Sequence, residues 1–278
     1  MSKLNGATTV ITGGAGGLGR ALAHEAGRRG SRILIGDVKD ASEVVEELRK
    51  AGLTVESFPV DVSDYAQVSK FADYARSTFG EVNVLINCVV LGEGTTGPLD
   101  EADPQGVRRS FDVNITGYFN GIHAFAKDLK KAAAAGRPAY LLNVGSEHTF
   151  GPPPHVIPIS AYTVSKATML AYTNVIRRDF AGNGVGVTML APGWILTPLV
   201  QSLCDQSEEF AAKVLPYAQL SEFVAKAAFD GLLRNDYIIY TNPRAAQFAI
   251  KNCEAVLAEL RRADSIVAAA TGPVWAQP

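Results

Sequence analysis

The sequence predicts an α/β fold: three layers, with a doubly wound parallel sheet of about seven strands between two layers of helices, forming a single domain. Three observations predict it. Short apolar, β-branched runs recur along the 278 residues, separated by segments whose apolar residues return at helical spacing. Strand and helix alternate from start to end, which builds a parallel sheet with right-handed crossovers. The runs are apolar almost throughout, as strands buried on both faces must be.

The elements follow in order. "TTVIT" (8–12) is the first strand, and a helical pattern occupies 18–29. "RILIG" (32–36) precedes a helix over 41–51, and "TVESFPV" (54–60) precedes one over 65–79. "VNVLIN" (82–87) leads to a long helix over 106–135, and "AYLLNV" (139–144) leads to a helix over 161–182. "GVTML" (186–190), a helix over 220–234 and "YIIYT" (237–241) complete the sheet. A tail helix is expected near 244–264 and a loose tail over 265–278. Two segments read as loop-rich: 146–160, and a substrate loop or lid over 193–219. Each follows a strand, at the sheet edge where doubly wound folds bind ligands.

Composition narrows the function. Apolar residues make up 47% and charged residues 19%, a globular balance, and the net charge of −2 offers no electrostatic case for nucleic acid or an anionic membrane. No apolar run is long enough to span a membrane, and the N-terminus lacks the pattern of a signal peptide. Cys88, Cys204 and Cys253 form neither a disulfide framework nor a zinc pattern. A cytoplasmic, reduced protein without a structural metal is expected.

"TGGAGGLG" (12–19) follows the first strand and opens a helix. Glycines there let backbone approach a pyrophosphate closely, and a helix N-terminus favours its charge. Gly13, Gly16, Gly17, Leu18 and Gly19 are the candidate phosphate-loop residues. Asp37 ends the second strand, where a carboxylate accepts from both adenosine ribose hydroxyls and repels a 2′-phosphate. This favours NAD over NADP; Lys39 nearby is the one countervailing charge. "SAYTVSK" (160–166) places Tyr162 and Lys166 four apart, on one helical face. Taken alone, that pair reads more readily as two surface neighbours than as a proton-transfer couple.

Taken together, these motifs resemble the short-chain dehydrogenase/reductase family over roughly residues 5–260. "TGGAGGLG" is followed in order by "DV" (61–62), "NVLIN" (83–87), "NITG" (114–117), Ser146, Tyr162 with Lys166, and "PGWILT" (192–197). The resemblance implies a Rossmann-type domain, a nicotinamide cofactor and a catalytic tetrad of Asn114, Ser146, Tyr162 and Lys166. It further implies that Asp61 and Val62 hold the adenine ring, Asn87 lies along the adenosine, and Ile195 and Thr197 contact the carboxamide. Lys166 would bind the nicotinamide ribose, and Asn114 would hold a water behind it. Two departures stand out. The family usually reads Asn-Asn-Ala-Gly where this chain has Asn87-Cys88-Val89-Val90, and Cys88 lacks an amide's donor and acceptor. The Ser146-to-Tyr162 interval is also lengthened by "GPPPHVIPI", a stiff insert because each proline fixes its φ.

The residue types suit oxidation of a secondary alcohol. A free tyrosine titrates near pH 10, and an adjacent ammonium would lower that value toward a usable base. Ser146 would bind the substrate oxygen. Val90, His148, Phe150 and Trp194 are the candidate pocket walls; with few charges beside them, they suggest a bulky, uncharged aryl or alicyclic substrate. "SEHTFGP" and "YIIYTNP" also look like the branch that includes aryl-alcohol (lignin-type Cα) dehydrogenases. His155 reads as a rim residue and Cys88 as a buried filler. The alternatives are a non-catalytic NAD-binding sensor or scaffold, which leaves the Tyr–Lys pair without a use, and a methyltransferase with a similar glycine loop. Small residues in helices 106–135 and 161–182 permit pairing of copies, and the resemblance implies a homodimer or homotetramer.

Overall fold

Parallel pairing runs through the whole sheet. A computed structural model describes residues 3–92, 94–155 and 158–271, with side chains described through 263. Its strands are β1 (Thr8–Thr12), β2 (Arg32–Asp37), β3 (Val55–Pro59), β4 (Val84–Asn87), β5 (Tyr140–Val144), β6 (Gly186–Ala191) and β7 (Ile238–Tyr240). They pair in the order β3-β2-β1-β4-β5-β6-β7, every pair parallel. The chain winds outward from β1 in one direction and from β4 in the other. The crevice between their carboxyl ends is therefore the switch point where such sheets take a ligand.

Alternation along the strands divides the core. Ile11, Ile33, Ile35 and Ile86 point to one face, under α1 (Gly17–Arg28), α2 (Ser42–Lys50) and α9 (Ser221–Arg234). Val10, Leu34 and Leu85 point to the other, under α3 (Tyr65–Phe79), α5 (Gly117–Ala134) and α6 (Ser160–Asp179). Phe71 and Phe125 meet edge-on at 5.8 Å on that second face, and both are wholly buried. Burial of each contributes roughly 1.5–3 kcal/mol. Gly36 in "LIGD" is the consequence: a Cβ there would lie 2.6 Å from the Phe71 ring.

Three expectations change. The helix expected over 106–135 is α4 (Pro104–Phe111) and α5, joined by a π-helical turn over Asp112–Thr116 that carries Asn114. Asp103 caps α4 by accepting from Gly106 N at 2.7 Å, which moves its start upstream. The 193–219 segment holds α7 (Pro198–Gln206), α8 (Glu208–Val214) and a 3-10 turn over Leu215–Tyr217. Thr197 and Ser207 cap the two helices through their hydroxyls, so local signals build helices where the lack of a long apolar period suggested a loop. Last, α10 (Pro243–Thr271) runs past 265, and the rest of the expected tail lies outside the described residues. No helix among the described residues is long and apolar enough to cross a membrane.

Candidate functional site

The glycine loop sits at the switch point. Gly13 has φ +74°, and a Cβ there would lie 2.8 Å from Val89 Cα. The turn therefore packs directly on the segment that departs from Asn-Asn-Ala-Gly. A Cβ on Gly19 would overlap the Gly13 carbonyl, which closes the turn onto α1. Gly16 differs: nothing lies within 4 Å of its Cβ position, and its backbone is extended. It precedes α1, whose first N–H groups receive no side-chain cap. Open space before uncapped N–H groups is what an anion requires. Gly17 faces the Thr197 methyl, 3.3 Å from a Cβ placed there. Leu18 is buried in the core, with Ile195 packed against the same cluster.

The acidic position closes one side. Asp37 Oδ2 accepts from Ala15 N at 2.9 Å and Oδ1 from Lys39 N at 3.0 Å. Asp61 accepts from the Ser63 N–H at 2.9 Å and its hydroxyl at 2.7 Å, shaping the turn after β3. The Val62 carbonyl accepts from Asn120 at 2.8 Å. Asn87 ends β4 beside the crevice. Its side chain is 1% exposed, donates to Asn143 Oδ1 at 3.0 Å across the β4–β5 pairing and lies against Gly121.

Ser146, Tyr162 and Lys166 come together at the carboxyl ends of β4 and β5. Ser146 follows β5 and caps a 3-10 turn (Glu147–Phe150), accepting from His148 N at 3.2 Å. Its hydroxyl lies near enough to Tyr162 to favour the phenolate. Burial raises the Tyr162 pKa, the Ser146 hydroxyl opposes this, and the Glu147 carboxylate raises it further. Lys166 Nζ donates to Val144 O at 2.9 Å and to the Tyr118 hydroxyl at 3.3 Å. Four-residue spacing puts both residues on one face of α6, but the long lysine stem reaches past the phenol to a fixed carbonyl. Burial lowers the Lys166 pKa to about 8. Asn114 is wholly buried and its side chain is fully engaged. Oδ1 accepts from Leu91 N at 2.8 Å; Nδ2 lies 2.8 Å from Leu91 O, 3.0 Å from Ser110 Oγ and 3.2 Å from Ser165 Oγ. It clamps the loop after β4.

A family model described as short chain dehydrogenase matches residues 7–208. The chain belongs to that family. Members are oxidoreductases acting on CH–OH groups. The chain is 28% identical over 252 residues to 3-hydroxyacyl-CoA dehydrogenase type-2 of Drosophila melanogaster, covering 85% of this chain and 96% of that one. It is 30% identical over 232 residues to 3beta-hydroxysteroid dehydrogenase 1 of Eggerthella lenta, covering 81% and 86%. A short-chain dehydrogenase/reductase from Burkholderia phymatum, solved in complex with NAD, superposes with TM-score 0.80 at 26% identity, over 93% of this chain and 97% of that one.

In this short-chain dehydrogenase Val90 is 53% exposed. Trp194 meets Phe210 of α8 edge-on at 5.6 Å, which ties the segment after β6 to that helix. Phe150 and Tyr240 line an apolar groove of about 460 Å³ against Ala246, Ile250 and Leu257 of α10. His148 packs behind Tyr162. It is 4% exposed, bonds Thr163 Oγ1 through Nδ1 at 2.8 Å and stands edge-on to the Tyr162 ring at 5.3 Å. Burial depresses its pKa to about 4, so it is neutral at pH 7.

His155 is not at the rim. Its side chain is 7% exposed, stacks on Tyr217 at 3.8 Å and places Nε2 3.3 Å from Glu147 Oε1. Glu147 also lies 3.5 Å from Asn242 Nδ2, and burial lifts its pKa to about 7. One buried carboxyl thus touches the proline insert and the start of α10, beside the end of the lid. Sequence reasoning missed Tyr118, Tyr217 and Asn242. Tyr118 has a local signal, lying directly after "NITG"; the other two have none, because long-range packing brings them in.

Proposed function

We propose that this protein is an NAD-dependent dehydrogenase that interconverts a secondary alcohol and a ketone on a hydrophobic aryl or alicyclic molecule, with Tyr162 as acid and base. The observation that carries this is the gathering of Ser146, Tyr162 and Lys166 around His148 and the end of β5, beside the switch-point crevice. The crevice fits a dinucleotide, with open space at Gly16 and uncapped N–H groups at the start of α1. Gly13, Gly16, Gly17 and Gly19 would admit the pyrophosphate, Asp37 the adenosine ribose, Asp61 and Val62 the adenine edge, and Ile195 and Thr197 the carboxamide. Asp37 supports NAD, since a 2′-phosphate would meet its carboxylate. A bound nicotinamide supplies the acceptor or donor of the hydride.

The protein's own groups handle the proton. Ser146 holds the substrate oxygen beside the Tyr162 phenol. The phenol takes the hydroxyl proton during oxidation and returns it during reduction. Lys166 brings positive charge to the buried site, and His148 braces the Tyr162 ring. Asn114 secures the Leu91 backbone and with it one wall. Phe150 and Trp194 support an apolar substrate. Two relatives carry hydroxysteroid and hydroxyacyl-CoA in their names, words that denote an alcohol on a larger skeleton. Phe119 on α5 and Val164 and Val175 on α6 are exposed apolar residues, 50%, 42% and 46% accessible, which supports pairing of copies through these helices.

The test is a screen of alcohols and ketones with both cofactors, followed by absorbance at the reduced nicotinamide band. Hydrophobic secondary alcohols should turn over with NAD, and Tyr162→Phe should lose about 10²–10⁴-fold in rate. Faster turnover of small polar sugars would overturn the substrate class. Cofactor binding without turnover of any alcohol would favour the non-catalytic sensor.

A further inference from the structure

Tyr118 is wholly buried in the first turn of α5, and nothing in the proposed chemistry uses it. Its hydroxyl lies 2.8 Å from Val144 O at the end of β5 and 3.2 Å from Val89 O just beyond β4. Lys166 Nζ approaches the same hydroxyl at 3.3 Å, and Val144 O at 2.9 Å. The ammonium also stands 5.2 Å from the Tyr118 ring centroid.

Donor and acceptor rules set the direction of these bonds. An ammonium donates three protons and accepts none; a phenol donates one and accepts through its lone pairs. Lys166 therefore donates to Tyr118, and Tyr118 donates onward to Val144 O or Val89 O. Two of the three lysine protons are spent on groups that the sheet holds fixed, which leaves the third to be aimed. Cys88, where the family has its second Asn, brings no amide to this end of β4. The Tyr118 hydroxyl reaches the neighbouring Val89 carbonyl from the helix side.

We propose that Tyr118 is a positioning residue for Lys166: a buried phenol that anchors the ammonium and sets its charge and reach. The proposal rests on the reading of Lys166 as part of the catalytic set. Accepting a hydrogen bond from the ammonium stabilises its charged form. The ring quadrupole adds to this and would survive loss of the hydroxyl.

The experiment uses the full-length protein, an alcohol found in the screen, and three variants. Lys166→Ala tests the underlying reading: unchanged kcat would overturn that reading, whatever Tyr118 does. Given a loss there, Tyr118→Phe keeps the ring and removes only the hydroxyl. It should lower kcat about tenfold, the size of one hydrogen bond to a charged group. It should also move the alkaline limb of the kcat–pH profile to lower pH, because the ammonium loses its proton more easily. A rate loss with an unmoved limb would mean packing alone and would overturn the proposal. Where Tyr118→Phe does not fold, ¹⁵N-lysine NMR of the wild-type protein decides. A Lys166 Nζ signal with exchange-protected protons, assigned by its loss in Lys166→Gln, is expected; a freely exchanging ammonium overturns the anchor.

Discussion

Ala15 and Asp37 are joined across the nucleotide crevice by a 2.9 Å hydrogen bond from the Ala15 N–H to Asp37 Oδ2. The glycine loop and the end of β2 are thereby set by one carboxylate, which also accepts from Lys39 N at 3.0 Å. The group read as selecting the cofactor is also part of the frame. Asp37→Ala should shift the NAD:NADP ratio of kcat/KM toward NADP by tenfold or more. It should also lower stability by roughly 1–3 kcal/mol, seen as a lower melting temperature. A melting shift without a change in the ratio would leave Asp37 as a turn cap only.

Two glycines of the loop should separate folding from binding. Gly19→Ala drives a methyl into the Gly13 carbonyl and should destabilise by about 1–3 kcal/mol or more. Gly16→Ala meets open space on an extended backbone and should melt like wild type. Its NAD dissociation constant, read by calorimetry, should nevertheless rise at least tenfold, because the methyl fills the space assigned to phosphate. Unchanged affinity would place the phosphates elsewhere.

Glu147 should make stability fall as pH rises. Its folded-state pKa of about 7 lies above the ordinary 4.5, so the folded protein holds a proton that the unfolded chain releases between these values. The stabilisation is complete below pH 4.5 and is lost as pH climbs through 7. His155, Tyr240, Tyr162 and Asn242 are the polar groups around it. Glu147→Gln fixes the neutral form. At pH 8 it should melt above wild type by the equivalent of roughly 2–3 kcal/mol, with the gap closing by about pH 5. The same change removes a negative charge that raises the Tyr162 pKa, so the limb of kcat/KM assigned to Tyr162 should move to lower pH. Parallel melting curves across this range would contradict the buried acid.

Asn114→Ala should act through the loop it clamps. Losing the side chain leaves Leu91 N and O without their 2.8 Å partners and should cost about 1–3 kcal/mol. KM for the alcohol should rise along with any fall in kcat, since Leu91 leads into the pocket wall. A pure kcat effect at wild-type stability would favour a proton-relay role instead.

Much of this fold was legible in order along the chain. Near-continuous apolar runs specify strands buried on both faces, and β1 appears at Thr8–Thr12 as its pattern required. The glycine loop was legible because a tight strand-to-helix turn leaves a local mark. The 193–219 lid was not, because its two short helices depend on hydroxyl caps at Thr197 and Ser207 more than on a long apolar period. The Asn87–Asn143 bond was not legible either, because a motif gives a residue's position in the chain but not the direction of its side chain.

The sequence by itself determined the parallel sheet and the glycine turn after β1, and it named the candidate groups for moving a proton, since local pattern and chemistry are written residue by residue. Only the tertiary structure decided what those groups touch. Lys166 shares a helical face with Tyr162, yet its ammonium is held by Val144 O and Tyr118. Glu147 and His155 are eight residues apart across a proline insert, yet they meet in a buried cluster with Tyr217 and Asn242. The physical reason is the same in both cases. A long side chain goes to the nearest fixed partner in space, and burial strengthens that preference by removing water as the alternative.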